Sequence, residues 1–198
     1  INVIRQAASD YREKENFQEQ CTINGVAVSL GAVMYSKAIQ EWTFKWKLSW
    51  TNNWYSLHKD VGKFKPLSYI KADGTKTRPV YKTAYEGTYE AIHLLVSNPL
   101  YKKCNMDYST VKAYISWPKA PDSKTHKARC IKGNCTIKNF VNYKLKQNLN
   151  QALLYDKIKH EVSDKPTTIQ QKKETGFDII TDEKSCKLLG YTDMDYIQ

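Results

Sequence analysis

Apolar positions change their period several times along this chain, and each period names an element. Val26, Leu30, Val33, Met34 and Ala38 recur at helical spacing and predict a helix over 26–41, with Gly31 its weak point. From Trp42 to Trp50 the pattern switches: Trp42, Phe44, Trp46, Leu48 and Trp50 alternate with Thr43, Lys45, Lys47 and Ser49. Strict alternation predicts a half-buried strand over 42–50. Leu67–Ile70 and Val80–Lys82 flank Asp73-Gly74, a turn signal that predicts a hairpin over 67–82. Tyr85, Tyr89, Ile92, Leu95 and Val96 predict a helix over 83–97, stopped at Asn98-Pro99. Val111, Ala113, Ile115 and Trp117 alternate, which predicts a strand over 111–117.

Beyond Pro118 and Pro121 the pattern predicts a hairpin over 129–145, turning at Lys132-Gly133-Asn134. Leu149, Leu153, Leu154 and Ile158 predict a helix over 147–162, and a short helix follows over 182–189, ended by Gly190. Residues 1–20 are polar and mixed in charge, as in a helix or an ordered arm. Antiparallel strands and hairpins mixed with helices give an α+β class. Residues 1–162 are expected to form one domain, and 163–198 a polar linker with a short acidic helical segment. No stretch of about 18 apolar residues occurs, so no spanning helix is expected. The first residue is Ile1, as a removed leader or a longer parent chain would leave it.

Charge adds an address. The chain holds 31 Lys+Arg against 20 Asp+Glu, net +11. Residues 101–160 carry 13 basic and 3 acidic side chains, while 161–198 carry 5 basic and 8 acidic. The excess therefore sits in the middle block. Only Arg5, Arg12, Arg78 and Arg129 are arginines. A lysine-dominated block attracts phosphate without the bidentate forks that read bases.

Aromatic residues are interleaved with these cations. Lys102, Lys103, Lys112, Tyr114, Lys119, Lys127, Arg129, Lys132, Lys138, Phe140, Tyr143, Lys144 and Lys146 are the candidate nucleic-acid-binding set. Lysines release counterions from phosphate, and rings stack unpaired bases. On the expected strands, Lys112 and Tyr114 share one face, and Lys138, Phe140, Asn142 and Lys144 share another. Trp42, Phe44, Trp46 and Trp50 read as core, and Trp54 in its polar stretch as an exposed contact.

Five cysteines leave at least one thiol unpaired within the chain. Cys130 and Cys135 flank a tight turn and are a candidate disulfide, while Asn134-Cys135-Thr136 is a glycosylation sequon. Cys21 reads as an inert buried thiol. His58, His93, His126 and His160 are isolated, and no nucleophile elbow, P-loop or dinucleotide fingerprint is present. The reading leans away from an enzyme, and neither a cofactor nor a metal is expected.

The leading expectation is a basic, non-catalytic protein that binds single-stranded DNA or RNA with low sequence specificity. Its Lys- and Tyr-rich composition is compatible with a virus, phage or mobile element. A second expectation, from a different class, is a secreted disulfide-containing domain that binds an acidic protein or glycan. A third is a structural subunit of a virion-like assembly. The first and third place the chain inside a cell or virion, and a Cys130–Cys135 bridge would place it outside.

Overall fold

The computed structural model describes residues 1–72, 76–101, 103–114 and 136–162. These residues form an α+β fold. Helix α1 (Asn2–Lys14) buries Ile4, Ala7, Ala8 and Tyr11. That is the i, i+3, i+4, i+7 stripe of a helix lying on a core. Arg12 then folds the chain back, donating to the carbonyls of Phe17 and Glu19, both at 3.1 Å. The turn delivers β1 (Cys21–Ile23), which pairs antiparallel with β2 (Val26–Val28). Between them Asn24 and Gly25 both take positive φ, the conformation of a tight hairpin turn.

Helix α2 (Leu30–Lys45) follows and runs into a 3-10 turn, Trp46–Thr51. Ser29 caps it, its hydroxyl accepting from the Ala32 N–H at 3.1 Å. Strands β3 (Ser68–Ala72) and β4 (Lys76–Val80) make a separate antiparallel hairpin, with Ser68 opposite Val80. Helix α3 (Ala84–Ser97) is capped by Thr83, which accepts from the Glu86 N–H. A 3-10 turn, Pro99–Tyr101, leads to β5 (Asn105–Met106), which joins β1 in parallel. The small sheet therefore has the order β2-β1-β5. Asp107 caps the short α4 (Tyr108–Tyr114), accepting from the Thr110 N–H at 2.8 Å. Helix α5 (Ile137–Val162) packs against α2. Its Asp156 accepts from both the backbone N–H and the hydroxyl of Ser29.

The core lies between α1, α2, α3 and α5. Tyr11, Tyr35, Tyr155, Ile4, Ile92 and Val141 are among its buried side chains. A disulfide between Cys21 and Cys104 ties β1 to the residue before β5, and both cysteines are fully buried.

The hairpin at 67–82 and the helix at 83–97 stand where periodicity places them. Other expectations are corrected. The expected strand 42–50 is the end of α2 and a 3-10 turn, and Trp50 is 61% exposed rather than core. A helix entered at Ser29 propagates cooperatively, and alternation over nine residues did not overrule it. The expected helix 26–41 begins later, because Val26–Val28 pairs with β1. Residues 111–114 of the expected strand 111–117 belong to α4, whose cap at Asp107 starts a helix. Residues 137–145 of the expected hairpin 129–145 belong to α5, where Thr136 caps the first turn at 3.1 Å from the Asn139 N–H. The expected helix 147–162 is the second half of the same helix. The expected helix 182–189, the segment 163–198 and the pair Cys130 and Cys135 lie outside the described residues.

Candidate functional site

Three segments meet beside α2 and leave a cavity of about 60 Å³. Helix α2 contributes Met34, Lys37, Gln40 and Glu41, which recur at three- and four-residue intervals and so share a side. Helix α3 supplies an apolar wall of Ala91, Leu94 and Leu95. Tyr55, Leu57 and Tyr101 complete the lining.

The segment that brings Tyr55 and Leu57 is pinned by two asparagines. Asn53 is buried; its amide donates to the Leu57 and Pro79 carbonyls at 2.9 and 3.2 Å, and its oxygen accepts from the Leu57 N–H at 2.9 Å. Asn52 donates to the Tyr81 and Lys82 carbonyls at 3.0 and 3.1 Å. Its own carbonyl lies so close to α3 that a Cβ at Gly87 would stand 1.9 Å from it. Only glycine permits that approach. Gln40 is held from the other side, donating to Asn148 of α5.

Electrostatics mark Lys37. Its ammonium lies 5.3 Å from the centre of the Tyr101 ring, in cation–π range. Burial pulls the Lys37 ammonium down to about 8, and the Glu41 carboxylate opposes part of that shift. Burial, with a smaller push from Glu41, raises the Tyr101 phenol. Burial also raises Tyr55. Both phenols therefore stay protonated near neutral pH. The cleft thus offers a lysine brought down to about 8, a carboxylate, an amide and two phenols against apolar walls. Few polar groups on an apolar surface is the composition of a small-ligand site.

The basic set is distributed differently. Lys103 is exposed and pairs with Glu19 at 2.6 Å. Lys112 is exposed on α4, and Tyr114 is its last residue. On α5, Lys138 and Lys146 are exposed, Tyr143 and Lys144 are half-buried, and Phe140 is 2% exposed. The Lys144 ammonium lies 5.8 Å from the Phe140 ring centre. Helical geometry separates the residues that strand alternation had aligned, and burial removes Phe140 as a stacking surface. Lys102, Lys119, Lys127, Arg129 and Lys132 lie outside the described residues. Trp54, expected to be exposed, is half-buried.

Sequence reasoning passed over Lys37 and Glu41. The available signal was a lone lysine inside Val33-Met34-Tyr35-Ser36-Lys37-Ala38-Ile39, an otherwise mainly apolar run. It also left Cys21 unpaired, because spacing does not reveal partners 83 residues apart. Among the described residues no three His, Cys, Asp or Glu side chains gather as a metal site, and no helix is long and apolar enough to cross a membrane. Comparison with family models, with curated proteins and with solved structures finds no match.

Proposed function

We propose that this chain works outside the reducing cytoplasm as a disulfide-bonded glycan-binding domain, with the cleft beside α2 as its recognition site. The observation that carries the reading is the buried Cys21–Cys104 bridge. Such bridges persist in oxidising compartments and are rare where thioredoxin and glutathione act. The cleft supports the ligand class. Tyr101 and Tyr55 offer ring surface, while Glu41 and Gln40 offer acceptors and donors for hydroxyl groups. A cavity of about 60 Å³ takes a ring substituent, not a whole sugar ring. The glycan would lie across the mouth with one arm inserted.

Tryptophan fluorescence of the intact chain, titrated with neutral, N-acetylated and uronic oligosaccharides, tests the reading. Saturable binding that Tyr101→Ala weakens at least about tenfold supports it, that being the scale of a lost aromatic contact. Absence of binding to every oligosaccharide refutes it.

A second reading has its own support in the exposed lysines Lys112, Lys138 and Lys146. They suit a low-specificity contact with nucleic-acid phosphate. Binding to an oligothymidylate that falls steeply with salt, and that Lys138→Glu with Lys146→Glu weakens while Tyr101→Ala does not, favours this reading. Salt-independent or absent binding removes it.

A further inference from the structure

We propose that the β3–β4 hairpin and its base form a docking surface for an anionic phospholipid bilayer. The surface uses none of the side chains that line the α2 cleft, so it stands apart from the glycan reading.

Exposure marks the place. The three most exposed large apolar side chains among the described residues are Leu67 at 67%, Trp50 at 61% and Tyr69 at 51%. All three belong to the hairpin or its base. Leu67 extends β3 by one residue, its N–H donating to the Val80 carbonyl at 2.8 Å. The Tyr81 N–H, just past β4, donates to the Thr51 carbonyl at 2.9 Å, which sets Trp50 beside the base of the hairpin. Single apolar side chains on a surface are ordinary, whereas a gathered set marks an interaction site.

Strand geometry sorts the face. Alternate residues share a side, so Leu67, Tyr69 and Lys71 stand in a row, and all three are exposed. Thr77, also exposed, lies across from Lys71 on that side. The Tyr69 hydroxyl donates to Asp60, which fixes the ring and occupies the nearby carboxylate.

Charge names the occupant. Residues 57–82 hold 7 Lys+Arg and 2 Asp+Glu. Lys59, Lys65, Lys71 and Lys82 are exposed. Among the described residues no carboxylate pairs with the Lys65 or Lys71 ammonium. Lysines beside an open leucine, tryptophan and tyrosine match a bilayer interface. Trp and Tyr rings settle at headgroup level, and lysine stems lie along apolar surface with the ammonium among lipid phosphates. Each lysine near an anionic leaflet adds attraction. At a strand rise of about 3.3 Å per residue, Leu67 and Lys71 stand about 13 Å apart. That span lets one end enter the acyl chains while the other stays with the phosphates. Nucleic-acid phosphate would engage the lysines but would leave Leu67, the most exposed of the set, without an apolar partner.

The test is partitioning of the intact, disulfide-bonded chain onto vesicles, read by co-sedimentation. Vesicles of equal parts phosphatidylcholine and phosphatidylglycerol should retain the chain at least about tenfold better than phosphatidylcholine alone. Leu67→Ser with Trp50→Ser should weaken partitioning onto the anionic vesicles at least about tenfold. Lys65→Glu with Lys71→Glu should do the same, whereas Lys138→Glu with Lys146→Glu removes equal charge from α5 and should weaken it less. The substituted side chains are exposed, and urea midpoints matching the parent check that each variant is folded. An arm that needs only the parent and Trp50→Phe uses brominated phosphatidylcholine in the anionic vesicles. The parent's tryptophan emission should be quenched, and Trp50→Phe should remove most of that quenching. No partitioning, no quenching, or equal losses from the hairpin and α5 charge reversals overturns the proposal. So does binding of an oligothymidylate that Lys65→Glu with Lys71→Glu weakens while vesicle partitioning stands, because the face then meets nucleic acid. Vesicle partitioning without oligosaccharide binding leaves the docking surface standing and the glycan reading refuted; oligosaccharide binding without vesicle partitioning does the reverse.

Discussion

Glu90 carries a carboxyl group, yet it is fully buried in the middle of α3. Its Oε2 accepts from the Val61 N–H at 2.6 Å, and its Oε1 from those of Lys63 and Phe64 at 2.6 and 2.5 Å. One side chain thereby satisfies three backbone donors of the segment that leads into β3. A buried donor left without its acceptor costs about 1–3 kcal/mol. Glu90→Ala should therefore lower unfolding stability by about 3 kcal/mol or more in urea titrations. Glu90→Gln keeps an acceptor for Lys63 and Phe64 and should cost roughly half as much. Equal behaviour of the two variants and the parent would show that the nest adds nothing. His93, three residues on, gives a pH prediction. Its Nδ1 shares a hydrogen bond of 2.8 Å with the Tyr11 hydroxyl, and burial first, then Lys63, pulls its pKa below the ordinary value. Tyr11 itself is pushed up to about 12 by burial, so it stays neutral across this range. The folded state then binds a proton less readily than the unfolded state. Stability is fully present above the unfolded histidine pKa and is lost as pH falls through the folded one. The carboxylates of Asp10 and Glu15 are lowered, chiefly by hydrogen bonds from Tyr85 and Lys63, so they stay ionised until lower pH. Thermal midpoints should fall between pH 7 and 5, and His93→Gln should flatten that slope. An unchanged slope would remove His93 from the account.

Helix α5 tests which period governs an element. Its buried positions Val141, Leu145, Asn148, Ala152, Tyr155 and Ile158 step by three and four, with Phe140 beside Val141, whereas alternation would have put Phe140 and Asn142 on one face. Phe140 is 2% exposed and Asn142 is exposed. Phe140→Ala should cost about 3–5 kcal/mol, and Asn142→Ala should stay within about 0.5 kcal/mol. Chemical denaturation of the two variants decides between helix and strand, and similar losses would restore the strand. Elements whose start and stop were written in the sequence were legible. Thr83 with Glu86, and Asn98-Pro99, bracket α3, and Asp73-Gly74 sits between β3 and β4. The misread elements had equally local signals that the apolar period hid. Asn24-Gly25 makes the β1–β2 hairpin although Val26 fits helical spacing with Leu30. Asp107 and Thr136 cap α4 and α5 although the residues after them alternate. Caps and turns fix backbone hydrogen bonds, whereas a short period only sorts side chains between faces.

At the scale of the whole molecule the chain is organised by a contact that no local pattern encodes. The +11 charge and its concentration in residues 101–160 were open to counting, but a lysine count does not say which helix face each lysine occupies. The cleft joins α2, the 53–57 segment, α3 and Tyr101, so its legibility required the fold first. The same holds for the bridge between Cys21 and Cys104. It closes a loop of 83 residues that contains α2, the β3–β4 hairpin and α3. Within that loop lie the residues that line the cleft. Closing a loop of this length in the unfolded chain removes conformational entropy equivalent to about 4–5 kcal/mol in the chain-entropy model. The parallel pair β1–β5 spans only Thr22 with Asn105 and Ile23 with Met106, too little pairing to hold the loop ends by itself. Cys21→Ser with Cys104→Ser should therefore shift the urea midpoint strongly downward and leave the slope of the transition larger, because the unbridged chain expands further on unfolding. The parent protein unfolded with and without reductant should show the same difference. If reductant leaves the midpoint and slope unchanged while the two cysteines are confirmed free, the bridge does not hold the fold, and the argument for an oxidising compartment falls with it.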